Sequence, residues 1–214
     1  MARFFITGIS SGIGYGLTKK LIGKKHQVWG VARREALLVD LARELNSDRF
    51  HYSVCDVTNF KSVKATYHSL KKKEYFPDCV VLNAGINIRD ELEGFSLKPL
   101  KKVMSTNFYG AMCWIDFFLP RMLEKKHGHF IAISSTSAIQ PHPYRLGYCT
   151  SKAALNMAFE VLGHRFQSIA FSILKFGPVK TSMGKHHRSA MSVSQAVQMI
   201  LKTIGNYDLN HLIS

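Results

Sequence analysis

The chain has 214 residues, of which 46% are hydrophobic and 20% are charged, and its formal net charge is +15. This length and composition suit one folded domain and exclude disordered and collagen-like chains. The four cysteines form no C-x-x-C pair and share no metal-ligand spacing with the histidines, so neither a zinc site nor a disulfide framework is predicted.

The N-terminus leads through a short apolar stretch into a glycine-rich turn, and this pattern excludes a secretory signal. No apolar run reaches the roughly 18 to 20 residues that are needed to span a bilayer, so no transmembrane segment is predicted. We therefore expect a soluble cytoplasmic protein with reduced cysteines.

Short apolar runs alternate with longer amphipathic stretches along the chain. The runs predict strands at 4–7, 28–32, 51–54, 79–83, 130–134 and 169–176. The stretches predict helices near 12–24, 34–46, 59–73, 97–126, 147–167 and 192–205, with Ser96 and Ser192 as N-caps. This alternation is typical of right-handed βαβ units. We predict an α/β fold, a single doubly wound Rossmann-type domain over 1–214, with a parallel sheet of six or seven strands and helices on both faces.

A glycine-rich turn joins the first predicted strand to the first predicted helix. Glycine lets the backbone turn sharply and approach a pyrophosphate closely, and the helix N-terminus offers unpaired N–H groups to an anion. Ligands of such sheets bind beyond the carboxyl ends of the strands, where this turn lies. We predict a dinucleotide site that includes Gly8, Ser10, Ser11, Gly12, Ile13 and Gly14.

Two arginines, Arg33 and Arg34, follow the second strand, at the place where an acidic residue would bind the ribose 2′-hydroxyl of NAD. A planar guanidinium group suits a 2′-phosphate instead, because it binds phosphate oxygens in a bidentate manner. The pattern therefore favours NADP(H) over NAD(H). The alternative is that both arginines open the next helix on a solvated face.

Tyr148 and Lys152 lie four residues apart in a predicted helix, so their side chains share one face. An ammonium group about 4 Å from the phenol would lower its pKa from about 10 to about 7, a change that requires about 4 kcal/mol. The pair therefore predicts a tuned acid/base. Taken alone, such a pair is also typical of a solvated helix surface.

Together these motifs resemble the short-chain dehydrogenase/reductase family. The resemblance rests on the G-x-x-x-G-x-G spacing of the turn, on the Y-x-x-x-K pair, and on Ser135 and Asn107 at the family's distances upstream. It implies that Ser135 polarises the substrate oxygen while Tyr148 donates the proton. It also implies that Lys152 holds the nicotinamide ribose and lowers the pKa of Tyr148, and that Asn107 positions a proton-relaying water. The alternative is that Ser134 and Ser135 cap the end of the strand and that Asn107 kinks its helix.

The resemblance assigns further cofactor contacts, at positions that each follow a predicted strand. Leu82 and Phe176 stand where the family has asparagine and proline. The assigned residues are Asp56 and Val57 beside the adenine, Asn83, Ala84 and Gly85 along the cofactor, and Val179 and Thr181 at the carboxamide and phosphates.

The resemblance also implies partners. It implies a small carbonyl compound or secondary alcohol as substrate, and a homodimer through the helix that carries Tyr148 and Lys152. The segment that selects substrates in the family, about 182–191, is short here, and this predicts an open pocket. This segment contains His186, His187 and Arg188, which either bind an acidic group of the substrate or are solvated. A carrier-bound substrate also stays open, because a basic surface attracts anionic partners.

The lysines at 19–25, 71–73 and 125–126 each close a predicted helix, where the helix dipole favours cations. We expect them at the edge of the sheet opposite the site. Basic and aromatic residues do not interleave as a nucleic-acid stacking surface requires, so no nucleic-acid partner is expected. The leading hypothesis is an NADP(H)-dependent oxidoreductase. The alternatives are a catalytically weak cofactor-binding sensor or scaffold, and a basic-surface binding protein.

Overall fold

Six parallel strands alternate with seven α-helices in the computed structural model, which describes residues 1–90, 95–183 and 189–207. The strands are β1 (Arg3–Thr7), β2 (Gln27–Ala32), β3 (Phe50–Val54), β4 (Cys79–Leu82), β5 (His129–Ser135) and β6 (Ala170–Phe176). The helices are α1 (Gly12–Gly23), α2 (Glu35–Leu45), α3 (Phe60–Lys72), α4 (Leu97–Met104), α5 (Gly110–Lys125), α6 (Leu146–Arg165) and α7 (Val193–Asn206). Each predicted element is present, with one helix divided.

The strands form one parallel sheet in the order β3-β2-β1-β4-β5-β6. Phe5 at the centre of β1 lies opposite Trp29 on one side and Val80 on the other. The order reverses between β1 and β4, where a crevice for ligands opens beyond the carboxyl ends of the strands. The predicted Rossmann-type fold is therefore confirmed with six strands. A seventh strand would fall on 208–214, outside the described residues.

Alternating side chains of the strands build two separate cores. In β1, Phe4 and Ile6 lie on one face and Phe5 on the other, and all three are fully buried. Helices α1, α2 and α7 cover the first face, and α3, α5 and α6 cover the second. Trp114 of α5 packs with its ring centroid 4.4 Å from that of Phe5. Because burying such a side chain contributes about 1.5–3 kcal/mol, this packing fixes the strand ends that carry the site.

The helix predicted at 97–126 is interrupted. Helix α4 runs into a π-helical turn, Ser105–Tyr109, before α5 begins at Gly110. A π-helical turn holds more residues than an α-helical turn and is frequent at functional sites. This one directs Asn107 into the protein, where it is 1% exposed. The prediction of one continuous helix was wrong here because apolar periodicity does not reveal a locally widened turn.

The lysine clusters lie at helix ends, as predicted. Lys71 and Lys72 close α3, Lys125 closes α5, and Lys20 lies in the last turn of α1. In βαβ units the helices run antiparallel to the strands, so these helix ends lie at the edge where the strands begin. The carboxyl ends of the strands are at the opposite edge.

The two predicted serine caps differ. Ser192 caps α7 through a complete capping box with Gln195. Ser96 precedes α4 without a side-chain hydrogen bond to the helix.

Within the described ranges no helix has both the length and the apolar character needed to cross a membrane. All four cysteines are free thiols.

Candidate active site

The turn between β1 and α1 needs glycine at three positions. Gly8 and Gly12 have φ values of +77° and +61°, in the left-handed region that favours glycine. A Cβ atom on Gly14 would lie 2.4 Å from the carbonyl oxygen of Gly8, closer than packed atoms allow. The turn therefore keeps side chains away from the first N–H groups of α1, as close approach of an anion requires.

Asn83 ties this turn to the end of β4. Its Nδ2 donates to the carbonyl oxygens of Thr7 at 2.9 Å and Gly8 at 3.1 Å. Thr7 Oγ1 in turn accepts from the backbone N–H groups of Asn83 and Ala84. Leu82, which departs from the family pattern, is 3% exposed and packs in the core of the second face. The departure therefore adds apolar packing and leaves the link between β1 and β4 intact.

Two arginines stand beside the glycine-rich turn. The Arg34 guanidinium donates to Ser10 Oγ, at 2.7 Å from Nη2 and 3.1 Å from Nε, and to Ser11 Oγ at 2.7 Å. Arg33 Nη1 lies 4.0 Å from the carboxylate of Asp56. The cations and hydroxyl groups thus form one polar cluster at the start of α1 and α2. This cluster can bind a phosphate group.

Asn107 makes three hydrogen bonds inside the protein. Its Oδ1 accepts from the backbone N–H of Ile86 at 2.8 Å, and its Nδ2 donates to the Ile86 carbonyl and to Ser151 Oγ, both at 3.0 Å. A Cβ atom on Gly85 would lie 3.4 Å from Asn107 Oδ1 and 3.7 Å from Lys152 Nζ. Asn107 therefore fixes the chain after β4 beside Lys152.

Ser135 and Tyr148 meet at the carboxyl end of β5. Ser135 is the last residue of the strand, and its Oγ accepts from the backbone N–H of Ser137 at 3.1 Å. Burial raises the pKa of the Tyr148 phenol above its usual value. The nearby Ser135 hydroxyl and the charge of Arg145 act on the pKa in the opposite direction, but their effects are weaker. Tyr148 is therefore protonated at neutral pH.

Lys152 bonds to the backbone. Its Nζ donates to the Ile133 carbonyl at 2.7 Å and lies 5.8 Å from the centroid of the Tyr148 ring. Burial lowers the pKa of Lys152 to about 8. The expected lowering of the Tyr148 pKa by Lys152 is not found, because burial disfavours the ammonium charge and Ile133 accepts its hydrogen bond. The cation that lowers the pKa of Tyr148 is Arg145.

One cleft of about 700 Å³ connects these elements. Gly14, Asp56 and Asn107 do not line it; Gly14 and Asn107 pack behind it through the contacts above. Sixteen predicted residues line it: Gly8, Ser10, Ser11, Gly12, Ile13, Arg33, Arg34, Val57, Asn83, Ala84, Gly85, Ser135, Tyr148, Lys152, Val179 and Thr181.

Several lining residues were not predicted. Asn87 follows β4, and Gln140, His142 and Arg145 belong to the connection between β5 and α6. Asn87 Oδ1 is buried without a hydrogen-bond partner among the described residues. Only the position of Arg145, one helical turn before Tyr148, could have indicated its place from sequence, because the other three lie in irregular segments.

The segment after β6 closes against the glycine-rich turn. A Cβ atom on Gly12 would lie 2.9 Å from Thr181 Cγ2. Val179 forms a parallel bridge with Met191, which brings together the two ends of the predicted substrate segment. Residues 184–188, which include His186, His187 and Arg188, lie outside the described residues.

Comparison with known proteins agrees with this arrangement. A benzil reductase ((S)-benzoin forming) of Saccharomyces cerevisiae is 32% identical over 159 residues, which cover 71% of this chain and 60% of the relative. An NADPH-dependent pterin aldehyde reductase of Arabidopsis thaliana is 32% identical over 181 residues, which cover 83% of this chain and 75% of that protein. The chain thus spans less than two thirds of the length of the first of these relatives.

Solved structures share the fold. The closed form of a serine dehydrogenase complexed with NADP⁺ has a TM-score of 0.87 at 22% identity, covering 93% of this chain and 87% of that one. A 4-hydroxyisoleucine dehydrogenase complexed with NADH and succinate has a TM-score of 0.85 at 22% identity, and the match covers 94% of this chain and 91% of that one. The sequence model of the short chain dehydrogenases matches residues 3–192. The chain therefore belongs to the short-chain dehydrogenase/reductase family.

Proposed function

We propose that the chain is an NADP(H)-dependent oxidoreductase that interconverts a carbonyl compound and its alcohol, with Tyr148 as the acid/base. The observation that carries this proposal is the shared cleft, because the glycine-rich turn and the Ser135, Tyr148 and Lys152 side chains line the same cavity. A dinucleotide with its phosphates at the start of α1 can extend along this cavity toward Tyr148. The reductase names of the two relatives support the same class of reaction.

The cleft fits NADP(H) at its phosphate end. The turn at Gly8 and Gly12 is free of side chains, and a Cβ atom on Gly12 would meet Thr181. The Arg34 guanidinium, anchored on Ser10 and Ser11, offers charge and hydrogen bonds to a ribose 2′-phosphate. When bound, NADPH would supply the hydride for carbonyl reduction.

Tyr148 holds the proton for the substrate oxygen. Because burial raises its pKa, the phenol is protonated at neutral pH and can donate to a carbonyl oxygen as the carbonyl is reduced. Ser135 Oγ already accepts from Ser137, so its own hydrogen can be donated to the same oxygen. Oxidation of an alcohol would instead need the ionised phenol to accept the proton.

Lys152 and Asn107 have supporting roles in this proposal. Lys152 lies beside Gly85 on the wall of the cleft, where its Nζ can donate to ribose hydroxyl groups. Asn107 positions Lys152 and the chain after β4 through its bonds to Ile86 and Ser151. Its amide is occupied by these bonds, so we assign it a positioning role instead of the expected contact with a relay water.

We further propose that residues 1–214 form one catalytic domain and that its protein partner is a second copy of the chain. Helix α6, which carries Tyr148 and Lys152, exposes Met157 and Val161 one turn apart, with 61% and 55% of each residue accessible. Two apolar side chains on the exposed face of this helix fit a self-complementary contact. The small-molecule substrate would enter the cleft from its open side.

Titration of the purified protein with NADPH and NADH tests the cofactor. Replacing Arg34 with glutamine removes a charge-assisted contact, so we expect NADPH to bind about ten-fold or more weakly while NADH binding stays within two-fold. Arg43→Gln is the matched control, since Arg43 lies on the exposed side of α2 beside Asp40 and does not line the cleft. An equal loss for both cofactors would contradict a 2′-phosphate site at Arg34.

Turnover tests the reaction. A panel of aldehydes and ketones is assayed with NADPH, using wild type and Tyr148→Phe at equal concentration. We expect turnover by the wild type and a loss of about 10²-fold or more in Tyr148→Phe, with NADPH affinity unchanged. Tight NADPH binding without turnover of any carbonyl compound would favour the cofactor-binding sensor. Absence of binding to either cofactor would leave the basic surface as the better explanation.

A further inference from the structure

The cleft carries charge of one sign. Its lining includes the cations Arg33, Arg34, Arg145 and Lys152 together with His142. In the part of the chain that the structure describes, no aspartate or glutamate side chain lines it. A cofactor with a pyrophosphate and a 2′-phosphate accounts for cations at one end only.

The four cations lie at three places in the cleft. Arg33 and Arg34 flank the glycine-rich turn, where phosphates would bind. Lys152 is buried and bonded to the Ile133 carbonyl. Arg145 and His142 instead belong to the connection between β5 and α6, at the end of the cleft that holds Tyr148. The cofactor contacts proposed above do not account for them.

Arg145 lies close to the reaction centre. It is the N-cap residue of α6, one helical turn before Tyr148, and it is partly buried. Its charge acts on the Tyr148 phenol and lowers the pKa of that group. A substrate whose carbonyl oxygen meets Tyr148 therefore has Arg145 within the length of a small molecule.

The backbone around Arg145 is held in place. Its N–H donates to the His142 carbonyl at 3.1 Å, and its carbonyl accepts from the Cys149 N–H at 2.9 Å. Asp90 binds the same segment through its carboxylate, which accepts from the Leu146 N–H at 2.5 Å, and through its N–H, which donates to the Tyr144 carbonyl at 3.0 Å. The one described carboxylate bonded to this segment thus serves its backbone.

We propose that Arg145 selects carbonyl substrates that carry an anionic oxygen group, a carboxylate or a phosphate, and binds that group while the carbonyl lies against Tyr148 and Ser135. This inference rests on the proposed function, since it names the substrate class of the same cleft. His142 lines the same end of the cleft and adds a donor there. A guanidinium group binds either anion in a bidentate manner, so the two sources share one chemistry.

Binding of alcohol-state ligands tests the inference without turnover. The probes are 4-(hydroxymethyl)benzoate, 4-(hydroxymethyl)phenyl phosphate and neutral 4-methylbenzyl alcohol, titrated calorimetrically into the full chain with and without NADPH, which cannot accept a hydride from an alcohol. We expect at least one anion to bind about ten-fold or more tightly than the neutral probe, because a charge-assisted contact is added. The stronger of the two anions identifies the preferred group.

Variants locate the preference. In Arg145→Gln the advantage of the anion is expected to disappear, and Arg145→Lys is expected to keep part of it. Arg89→Gln removes the same charge from an exposed residue that stacks on Tyr144 and does not line the cleft, so it should keep the preference. Equal binding of all probes, no binding of any, or a preference unchanged in Arg145→Gln would overturn the inference.

Different outcomes contradict the proposed reaction and the proposed selection of anionic substrates. Tyr148→Phe should abolish turnover of 4-carboxybenzaldehyde and leave the anion preference intact. A wild type that binds the anions through Arg145 but reduces no carbonyl compound would refute the proposed reaction and keep the selected ligand class. A wild type that reduces neutral and anionic aldehydes equally well would keep the reaction and refute the selection.

Discussion

Lys152 is buried with 5% exposure, and the Ile133 carbonyl accepts a hydrogen bond from its ammonium group. Burial in a low-dielectric environment disfavours the charged form, and this lowers the pKa of Lys152 to about 8. A cofactor ribose would add acceptors and favour the charged form again. The position of Lys152 therefore suits a bound ligand, but burial of its ammonium group lowers the stability of the cofactor-free protein.

Replacing Lys152 with methionine should reveal this cost as a pH dependence. At pH values above 10.5, the ordinary value, the lysine is neutral whether folded or unfolded and carries no penalty. As pH falls toward 8, the unfolded chain binds the proton and the folded protein does not, so the wild type loses stability relative to Lys152→Met. The full change is about 3 kcal/mol in the difference between their unfolding free energies.

Urea unfolding of both proteins without cofactor at pH 7.5 and pH 10.5 measures this difference. The comparison across pH cancels the constant cost of leaving the Ile133 carbonyl without its donor, about 1–3 kcal/mol. Lys72→Met removes a cation from the exposed end of α3 and controls for net charge. A Lys152→Met difference that is the same at both pH values would show that the buried ammonium carries no such penalty.

At the scale of elements, the site depends on one contact between the glycine-rich turn and the end of β4. Gly14 of α1 lies against the Gly8 carbonyl and the Asn83 amide, which itself bonds to Thr7 and Gly8. Sequence alone predicted a turn that is open to phosphate. The structure adds that the same glycines allow the first helix to pack against two strands.

Replacing Gly14 with alanine should break this contact. The added Cβ atom would lie 2.4 Å from the Gly8 carbonyl oxygen and 2.6 Å from Asn83 Nδ2, so the backbone must shift. We expect a loss of about 2–4 kcal/mol in the free energy of unfolding and weakened NADPH binding. Gly23→Ala, in the last turn of the same helix with no atom within 4 Å of the new Cβ, should be neutral or stabilising by up to about 1 kcal/mol. Comparable destabilisation of both variants in urea would contradict the packing argument.

The elements show where sequence reasoning succeeds. The turn at Gly8 to Gly14 and the pairing of Tyr148 with Lys152 on one helix are local patterns, so the sequence predicted both their position and their nearness to one edge of the sheet. The bonds from Asn107 to Ile86, and the π-helical turn that permits them, depend on contacts between distant segments. The sequence predicted a lowered pKa for Tyr148, whereas the structure raises it. This prediction was wrong for the same reason, because burial by distant segments outweighs the effect of nearby charge.

At the scale of the molecule, the charge of +15 separates into two regions. The lysines that end α1, α3 and α5 lie at the edge where strands begin, and the arginines of the cleft lie at the other edge. Strands of this length place the edges about 15–20 Å apart, beyond the screening length of about 10 Å in 0.1 M salt. The local field in the cleft therefore comes from its own cations, which the sequence identified at Arg33 and Arg34 but missed at Arg145.

The same charge limits which surfaces can meet when two copies of the chain associate. An interface of standard size buries about 800 Å² on each partner, and a highly cationic face would repel its copy. The exposed Met157 and Val161 on α6 offer an apolar centre instead. Because the interface of a twofold dimer repeats each contact, a glutamate at both positions would bring four carboxylates together.

We therefore expect the wild type to elute at twice the 24.2 kDa of one chain in light-scattering chromatography at tens of micromolar. The double variant Met157→Glu/Val161→Glu should elute near 24.2 kDa. Met199→Glu, at a position that is 43% exposed on α7, should remain a dimer. A monomeric wild type, or a double variant that stays dimeric, would exclude α6 as the interface. Helix α6 also carries Tyr148 and Lys152, whereas the phosphates of NADPH would bind at the turn that contains Gly12. The monomeric double variant should therefore lose more of its reductase activity than of its affinity for NADPH.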